Sequence, residues 1–199
     1  METSLFLDSK AKRLNLAFKK KYVHKSDAVL SVRGRLDTTN ASAVVNTSLD
    51  KFVYLGAPSG GAEETYQPET RLRLGLGARA STTSDEVLLS VSAKKKTVLR
   101  RSEHVLRNKV ILTGYTQAVL RAHYDYNPRR DTWAGEASAT LSHAIFRFTE
   151  DQDVRLTLGV RAPLSPAGVG QAEPFLRLQE NCWSVNVDRH GAWNIGYDL

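Results

Sequence analysis

The segment 71–80 alternates between two kinds of side chain, and this alternation constrains the fold more than any other feature of the sequence. Side chains of a β-strand point alternately to its two faces. One face of this segment would carry only leucine and alanine, and the other only arginine and glycine. The wet face of a soluble sheet normally mixes charges of both signs. The segment therefore predicts a strand with one apolar face and one cationic face.

The same alternation recurs along most of the chain, with no segment of helical period and no domain boundary. The predicted strands are 13–22, 28–37, 43–55, 71–80, 85–96, 108–126, 133–148, 154–161, 176–179, 183–188 and 193–198. Short polar stretches such as 37–40 and 188–191 predict the turns between them. A meander of about 10–12 strands normally closes on itself, because closure removes the exposed edges. We therefore predict one all-β domain over residues 1–199, a closed antiparallel up-and-down barrel.

Net charge narrows the class of partner. The chain carries a formal net charge of +7 and a pI near 9.6. This positive charge predicts an anionic partner, which can be a nucleic acid, an acidic membrane surface or small anions. A single cysteine, Cys182, excludes an internal disulfide framework. No apolar run approaches the 18 or so residues of a membrane helix, whereas a transmembrane β-strand needs only about 9–11 alternating residues. The first residues lack the features of a signal or transit peptide, so no cleavable targeting peptide is expected.

Basic side chains stand opposite the apolar positions in most of the predicted strands. A closed barrel would gather them on one surface, as candidate ligands for anions, phosphate or nucleotide. The candidates are Lys19, Lys21, Arg33, Arg35, Arg71, Arg73, Arg79, Lys94, Lys96, Arg121, Arg155, Arg161 and Arg177. If the apolar face points inward, the result is a soluble basic barrel. If it points outward into lipid, the result is a water-filled pore lined by guanidinium and ammonium groups.

Two observations favour the pore. The apolar faces contain many glycines and alanines, which are poor material for a close-packed core. Aromatic residues fall near predicted strand ends, as in the interfacial girdles of membrane barrels: Tyr22, Tyr124, Tyr126, Trp133, Trp183, Trp193 and Tyr197. The alternative is a soluble basic β-barrel that binds RNA or a small anionic ligand. A nucleic-acid binder would place aromatic rings among its basic groups for base stacking, whereas most aromatic residues here are predicted on the apolar face.

Motifs for catalysis or cofactor binding lack the structural context or the spacing that their chemistry requires. The segment 75–80 matches the dinucleotide fingerprint by letter, but it lies inside an alternating strand instead of between a strand and a helix. The five histidines show no metal-ligand spacing. Ser, His and Asp residues occur without a recognisable nucleophile elbow. The sequence therefore predicts no enzyme, no metal and no cofactor.

Several segments carry a resemblance to a known family. Residues 175–186 and 191–199 are similar to the chloroplast outer envelope pore proteins of the twenty-one-kilodalton class. Residues 151–159 and 1–5 are similar too, and 33–38 more loosely. The resemblance spans the chain, being strongest after Asp151 and weak over 97–127. The loops 56–69 and 163–174 are longer than those of the family, which affects the expected shape and gating of the pore mouths.

This resemblance implies an integral, anion-selective β-barrel channel of the plastid outer envelope. Such channels pass phosphate and phosphorylated three-carbon compounds such as triose phosphates and phosphoglycerate. ATP is expected to bind in the cationic lumen and to regulate flux, and no nucleic-acid partner is implied. The residues agree with this picture, because rings of Arg and Lys select anions and a guanidinium offers two parallel donors to phosphate oxygens.

Overall fold

A computed structural model describes residues 2–9, 12–56, 71–106, 109–149 and 152–199. The strands are β1 (Glu2–Asp8), β2 (Arg13–Val23), β3 (Ala28–Asp37), β4 (Ser42–Leu55), β5 (Leu72–Ser81), β6 (Ser84–Leu106), β7 (Lys109–Asn127), β8 (Thr132–Thr149), β9 (Gln152–Ser165), β10 (Gly168–Val169), β11 (Glu173–Glu180), β12 (Trp183–Asp188) and β13 (Trp193–Asp198). In this part of the chain, no helix has the length and apolarity to cross a membrane.

Twelve of these strands form one closed ring. Consecutive strands from β1 to β9 pair antiparallel, β9 then pairs with β11, and the ring continues through β12 and β13. It closes where β13 pairs with β1, for example Tyr197 opposite Leu5. The two-residue β10 is an extra strand that pairs with β9. The predicted all-β, closed antiparallel meander of 10–12 strands is therefore confirmed, whereas its extent as a single domain over 1–199 stays a prediction.

The alternating strand directions define two rims. The terminal rim is the end at which β1 begins at Glu2 and β13 ends at Asp198. The opposite rim is the end at which β1 ends at Asp8 and β13 begins at Trp193. β4 ends and β5 begins at the terminal rim, whereas β9 ends and β11 begins at the opposite rim. The predicted loop 56–69 falls outside the described residues except for Gly56.

The apolar face points out of the barrel. Leu74 and Leu76 of β5 are 37% and 66% exposed, whereas Gly75 between them is buried. Among the described residues the buried hydrophobic side chains are those of Val119 and Ala144, and the other buried residues of the wall include polar ones: Asn15, Ser31, Ser90, Gln117, Asn127, Ser142 and Ser184. A soluble protein shows the reverse distribution. The alternative of a soluble barrel required an apolar interior and is wrong.

Aromatic side chains on the outer face lie near both rims. Trp183 and Tyr197 are in contact near the terminal rim, with ring centroids 4.6 Å apart. Trp133 contacts Tyr126 at 4.4 Å and Tyr124 at 5.7 Å near the opposite rim. These positions follow from the predicted strand ends. They match the aromatic girdles that membrane barrels place at the two lipid–water interfaces.

Three predicted boundaries need correction. The strand predicted over 85–96 continues as β6 to Leu106, because two register shifts, at Val98/Arg100 and Ser102/Glu103, interrupt the alternation that marks a strand. Residues 2–8 lie before the first predicted strand, and they form β1. The loop predicted over 163–174 contains the end of β9, the short β10 and the beginning of β11.

Candidate functional site in the barrel lumen

Strand register places all the predicted cations on the inner wall. Residues directly opposite each other on neighbouring strands share a face, so each pair fixes the facing of the next strand. Lys19 lies opposite Arg33, and Arg35 opposite Ala17. Arg79 lies opposite Ser48. The same pairing places four more cations on the inner wall: Lys21, Lys96, Arg155 and Arg177. The guanidinium of Arg71 lies over the inner-wall ring of Tyr54, 4.9 Å from its centroid.

Four of these cations form a row across five strands. Arg73 of β5 lies directly opposite Lys94 of β6, which lies opposite Arg121 of β7. Arg121 lies opposite Ser138 of β8, and Ser138 opposite Arg161 of β9. We call Arg73, Lys94, Arg121 and Arg161 the cationic row. Sequence alone does not reveal it, because the partners are separated by long stretches of chain.

The cationic row is electrostatically unfavourable when the lumen holds only water. Directly opposite side chains have Cβ atoms about 4.5–5.5 Å apart, and like charges in such pairs destabilise a sheet. The row contains two successive pairs of this kind, Arg73 with Lys94 and Lys94 with Arg121. An anion placed between them would relieve the repulsion and accept hydrogen bonds from both sides. This arrangement can therefore hold an anion between neighbouring strands.

A second group of cations lies on β9 and β11. Arg155 is opposite Gln179 and Arg177 is opposite Thr157, so the two arginines are diagonal neighbours. Nη2 of Arg155 donates a hydrogen bond to Oη of Tyr115 at 2.9 Å. The Nε groups of Arg155 and Arg177 are both buried and have no acceptor among the described residues. The two neighbouring guanidinium groups add positive charge to this part of the inner wall.

Acidic side chains also reach the inner wall, which the prediction of a cationic lining did not include. Nη1 of Arg79 lies 3.1 Å from Oδ2 of Asp125, and Nη1 of Arg13 lies 3.1 Å from Oδ2 of Asp37. In the sequence both acids occupy the same alternating positions as the cations, so the alternation already predicts that they face the lumen. Among the described residues, no group of three or more His, Cys, Asp or Glu could hold a metal ion.

Some aromatic rings of the inner wall lie over a glycine on the neighbouring strand. Phe52 is opposite Gly75 and Phe175 is opposite Gly159. In both cases a Cβ on the glycine would collide with the ring, so the ring occupies the space that a side chain would fill. Sequence reasoning missed these rings because it placed most aromatic residues on the apolar face. The strand parity of Phe175, next to the outward Leu176, was the available signal.

Arginines of the cationic row stack on these rings. The guanidinium carbon of Arg73 lies 4.3 Å from the ring centroid of Phe52, and that of Arg161 lies 4.4 Å from that of Phe175. Stacking on an aromatic face is favourable and leaves the N–H groups at the guanidinium edge accessible. The rings thus hold the cations against the wall while their donors face the lumen.

An inverted, closed barrel with an apolar exterior, aromatic girdles and a polar, cation-rich interior is a membrane pore of the outer-membrane type. The chain matches the family described as the chloroplast outer envelope pore protein OEP21 over residues 3–199, and it belongs to that family. It is therefore an integral barrel of the plastid outer envelope.

Two relatives match along their whole length. Outer envelope pore protein 21, chloroplastic, of Pisum sativum is 29% identical over 202 residues, covering 100% of both chains. Outer envelope pore protein 21A, chloroplastic, of Arabidopsis thaliana is 23% identical over 199 residues, again covering 100% of both chains. The resemblance drawn from the residues is thereby confirmed.

Proposed function

We propose that this pore is anion-selective and that it passes inorganic phosphate and phosphorylated three-carbon compounds such as triose phosphates and phosphoglycerate. The observation that carries the proposal is the cationic row, in which Lys94 has an arginine directly opposite it on each side. A wall built in this way lowers its free energy when an anion approaches and raises it when a cation approaches. Selection by charge follows without a closed binding pocket.

Phosphate groups suit this wall better than chloride does. A guanidinium presents parallel N–H donors that match two oxygens of one phosphate. The guanidinium groups of Arg155 and Arg177 add positive charge on the neighbouring strands β9 and β11. Conduction requires binding that is weak and repeated at many sites, and cations spread over several strands meet that requirement.

ATP is proposed to bind the same cations and to regulate flux by occupying them. Its triphosphate would compete with phosphate and sugar phosphates, and its base could stack on inner-wall rings such as Phe52 or Phe175. No cofactor and no catalytic step are part of the proposal, and nucleic acid is not a proposed partner.

Charge reversal in the lumen tests the selectivity. Replacing Arg33, Arg35, Arg71 and Arg73 together by Glu changes the lining from +4 to −4, a change of eight units. The outer face is untouched, so insertion should survive. An ideally selective channel for a monovalent ion develops about 59 mV across a tenfold salt gradient. In planar bilayers the reversal potential of the variant should lose its anion sign and move toward the cation sign.

A matched control separates lumen charge from total charge. Lys20, Lys51 and Lys95 lie on the outer face, opposite Val32, Ala28 and Leu120. Replacing these three by Gln removes as much charge as replacing Arg33, Arg35 and Arg73 by Gln. Only the inner triple variant should shift the reversal potential. A conducting Glu variant with unchanged anion selectivity, or equal shifts in both triple variants, would show that the proposed selectivity is wrong.

A further inference from the structure

A polar area interrupts the apolar outer wall on β6, β7 and β8. Arg100 of β6 lies opposite Thr116 of β7, and Thr116 lies opposite His143 of β8. Oγ1 of Thr116 is 2.8 Å from Nδ1 of His143, which is hydrogen-bond distance. Lys95 and Thr97 occupy the two preceding outer positions of β6, opposite Leu120 and Ala118. We call Lys95, Thr97, Arg100, Thr116 and His143 the outer polar patch; all but Thr116 are exposed.

The patch lies where the wall should leave the hydrocarbon layer. Toward the opposite rim, the outward positions of β7 from 118 to 126 are apolar or aromatic, a span of nine residues, and Thr97 and Lys95 stand opposite its first two outward positions. A tilted transmembrane strand needs about 9–11 residues. Tyr126, at the far end of this span, packs on Trp133 in the girdle of the opposite rim. The outer polar patch therefore straddles the edge of the hydrocarbon layer on the side of the terminal rim, where the long side chain of Lys95 can reach the lipid headgroups.

An apolar groove crosses the outer wall beside Lys95. A cavity of about 440 Å³ on β5–β9 includes Lys95 in its lining, and its outward floor is made by Ala93, Ala122, Ala137 and Ala139. Leu72, Leu120 and Val160 stand higher along its sides. This volume is within the range of ligand-sized clefts, about 300–1,000 Å³. The small side chains leave a depression on a surface that faces lipid.

We propose that the outer polar patch and this groove together bind one anionic phospholipid, with its phosphate at the patch and an acyl chain along the alanines. Charge complementarity selects the occupant, because the patch contains two cations and no acid. Lys95 and Arg100 attract the phosphate, and the hydroxyl of Thr97 can donate to its oxygens. The apolar groove crosses β6–β9 within the span assigned to the hydrocarbon layer, where an acyl chain of such a lipid lies. A zwitterionic lipid fits the groove but gains less at the patch.

Spin-labelled phosphatidylglycerol measures this binding directly. The full-length barrel is reconstituted in phosphatidylcholine vesicles, and the association of labelled phosphatidylglycerol is measured relative to labelled phosphatidylcholine. The wild-type barrel should prefer phosphatidylglycerol. In the double variant Lys95→Gln/Arg100→Gln, the preference should fall by up to about thirtyfold, since each cation near an anionic headgroup contributes about 1 kcal/mol.

Two further variants keep the proposal falsifiable. Ala122→Leu/Ala139→Leu fills the groove with side chains that lipid tolerates, so it should weaken binding of both labelled lipids at this site while the charges remain. Lys20→Gln/Lys51→Gln removes two cations from another part of the outer wall and should leave the preference unchanged. An equal loss in this control would show general surface attraction and overturn the site.

Free phosphate distinguishes a lipid site from a simple phosphate site. An excess of soluble glycerol phosphate should not displace labelled phosphatidylglycerol from the wild-type barrel, because it lacks the acyl chain that fills the groove. Full displacement would overturn the lipid assignment. An unchanged preference in Lys95→Gln/Arg100→Gln would overturn the proposal as well.

Discussion

Lys94 tests the reasoning about the cationic row. A variant without its charge should have a higher free energy of unfolding and should bind phosphate less tightly. Its side chain lies on the inner wall between Arg73 and Arg121, which are directly opposite it on the two neighbouring strands. Lys94→Gln removes the charge and keeps a polar side chain of similar length. Both repulsive cross-strand pairs disappear, and so does one donor of the cationic row.

The expected gain follows from the two pairs. A cross-strand charge pair contributes about 0.2–1 kcal/mol to the stability of a sheet, with an unfavourable sign for like charges. Removing two such pairs should raise the free energy of unfolding by about 0.4–2 kcal/mol at low ionic strength. The gain should shrink as the Debye length falls from about 10 Å at 0.1 M salt to about 3 Å at 1 M.

Phosphate should act in the opposite direction. A ligand that binds only the folded state stabilises it by RT ln(1 + [L]/Kd), which is about 1.4 kcal/mol at ten times Kd. Wild-type barrel should gain this stability as phosphate replaces chloride at constant ionic strength. Lys94→Gln should gain less, because the row that attracts phosphate has lost its central charge. The variant is thus the more stable protein in chloride and the less responsive one in phosphate.

Urea unfolding of the lipid-reconstituted barrel, followed by tryptophan fluorescence, measures both effects. Lys95→Gln is the matched control, since the adjacent residue points outward and lies opposite Leu120. In phosphatidylcholine the control should show neither the gain in chloride nor the loss of response to phosphate. A destabilised Lys94→Gln barrel, or equal phosphate stabilisation in all three proteins, would refute the reasoning about the cationic row.

Three other outcomes are expected. Arg73→Cys should react with a water-soluble thiol reagent in reconstituted barrels and Leu74→Cys only with a lipid-soluble one; equal reactivity would contradict the assigned facing. ATP should compete with phosphate for the cations of the lumen, and its binding should weaken with rising salt; salt-independent binding would indicate a dedicated pocket instead. Gly159→Leu should push the ring of Phe175 away from the wall with the guanidinium of Arg161, and single-channel conductance should fall; unchanged conductance would show that the ring does not border the pathway.

Alternation predicted the facing of the strands, because a side chain period of two is a property of each strand alone. The strand over 28–37 was predicted with the bounds that β3 has in the barrel, and its arginines face the lumen as expected. Register is different, since it depends on the length and geometry of every turn. The opposition of Arg73, Lys94 and Arg121 joins three strands and could not be derived from any one of them.

Local irregularity explains the other limits of the sequence. In β6 the register shifts twice beyond Val98, and a shift moves successive side chains to the other face. The alternation therefore fades although the strand continues. Rings on the inner wall were missed for a related reason: an aromatic residue in a membrane barrel is expected at the interface. Phe52 lies on the inner wall opposite Gly75, which leaves room for its ring.

Pairing Phe52 and Phe175 with glycines resolves a conflict in the design of this pore. A lumen that selects anions needs closely spaced cations, but closely spaced cations repel each other and extend into the space that solutes must use. Phe52 and Phe175 are flattened on glycines and hold Arg73 and Arg161 against the wall by stacking. The positive charge is thereby kept at the perimeter, where it attracts anions through its exposed N–H groups without filling the passage.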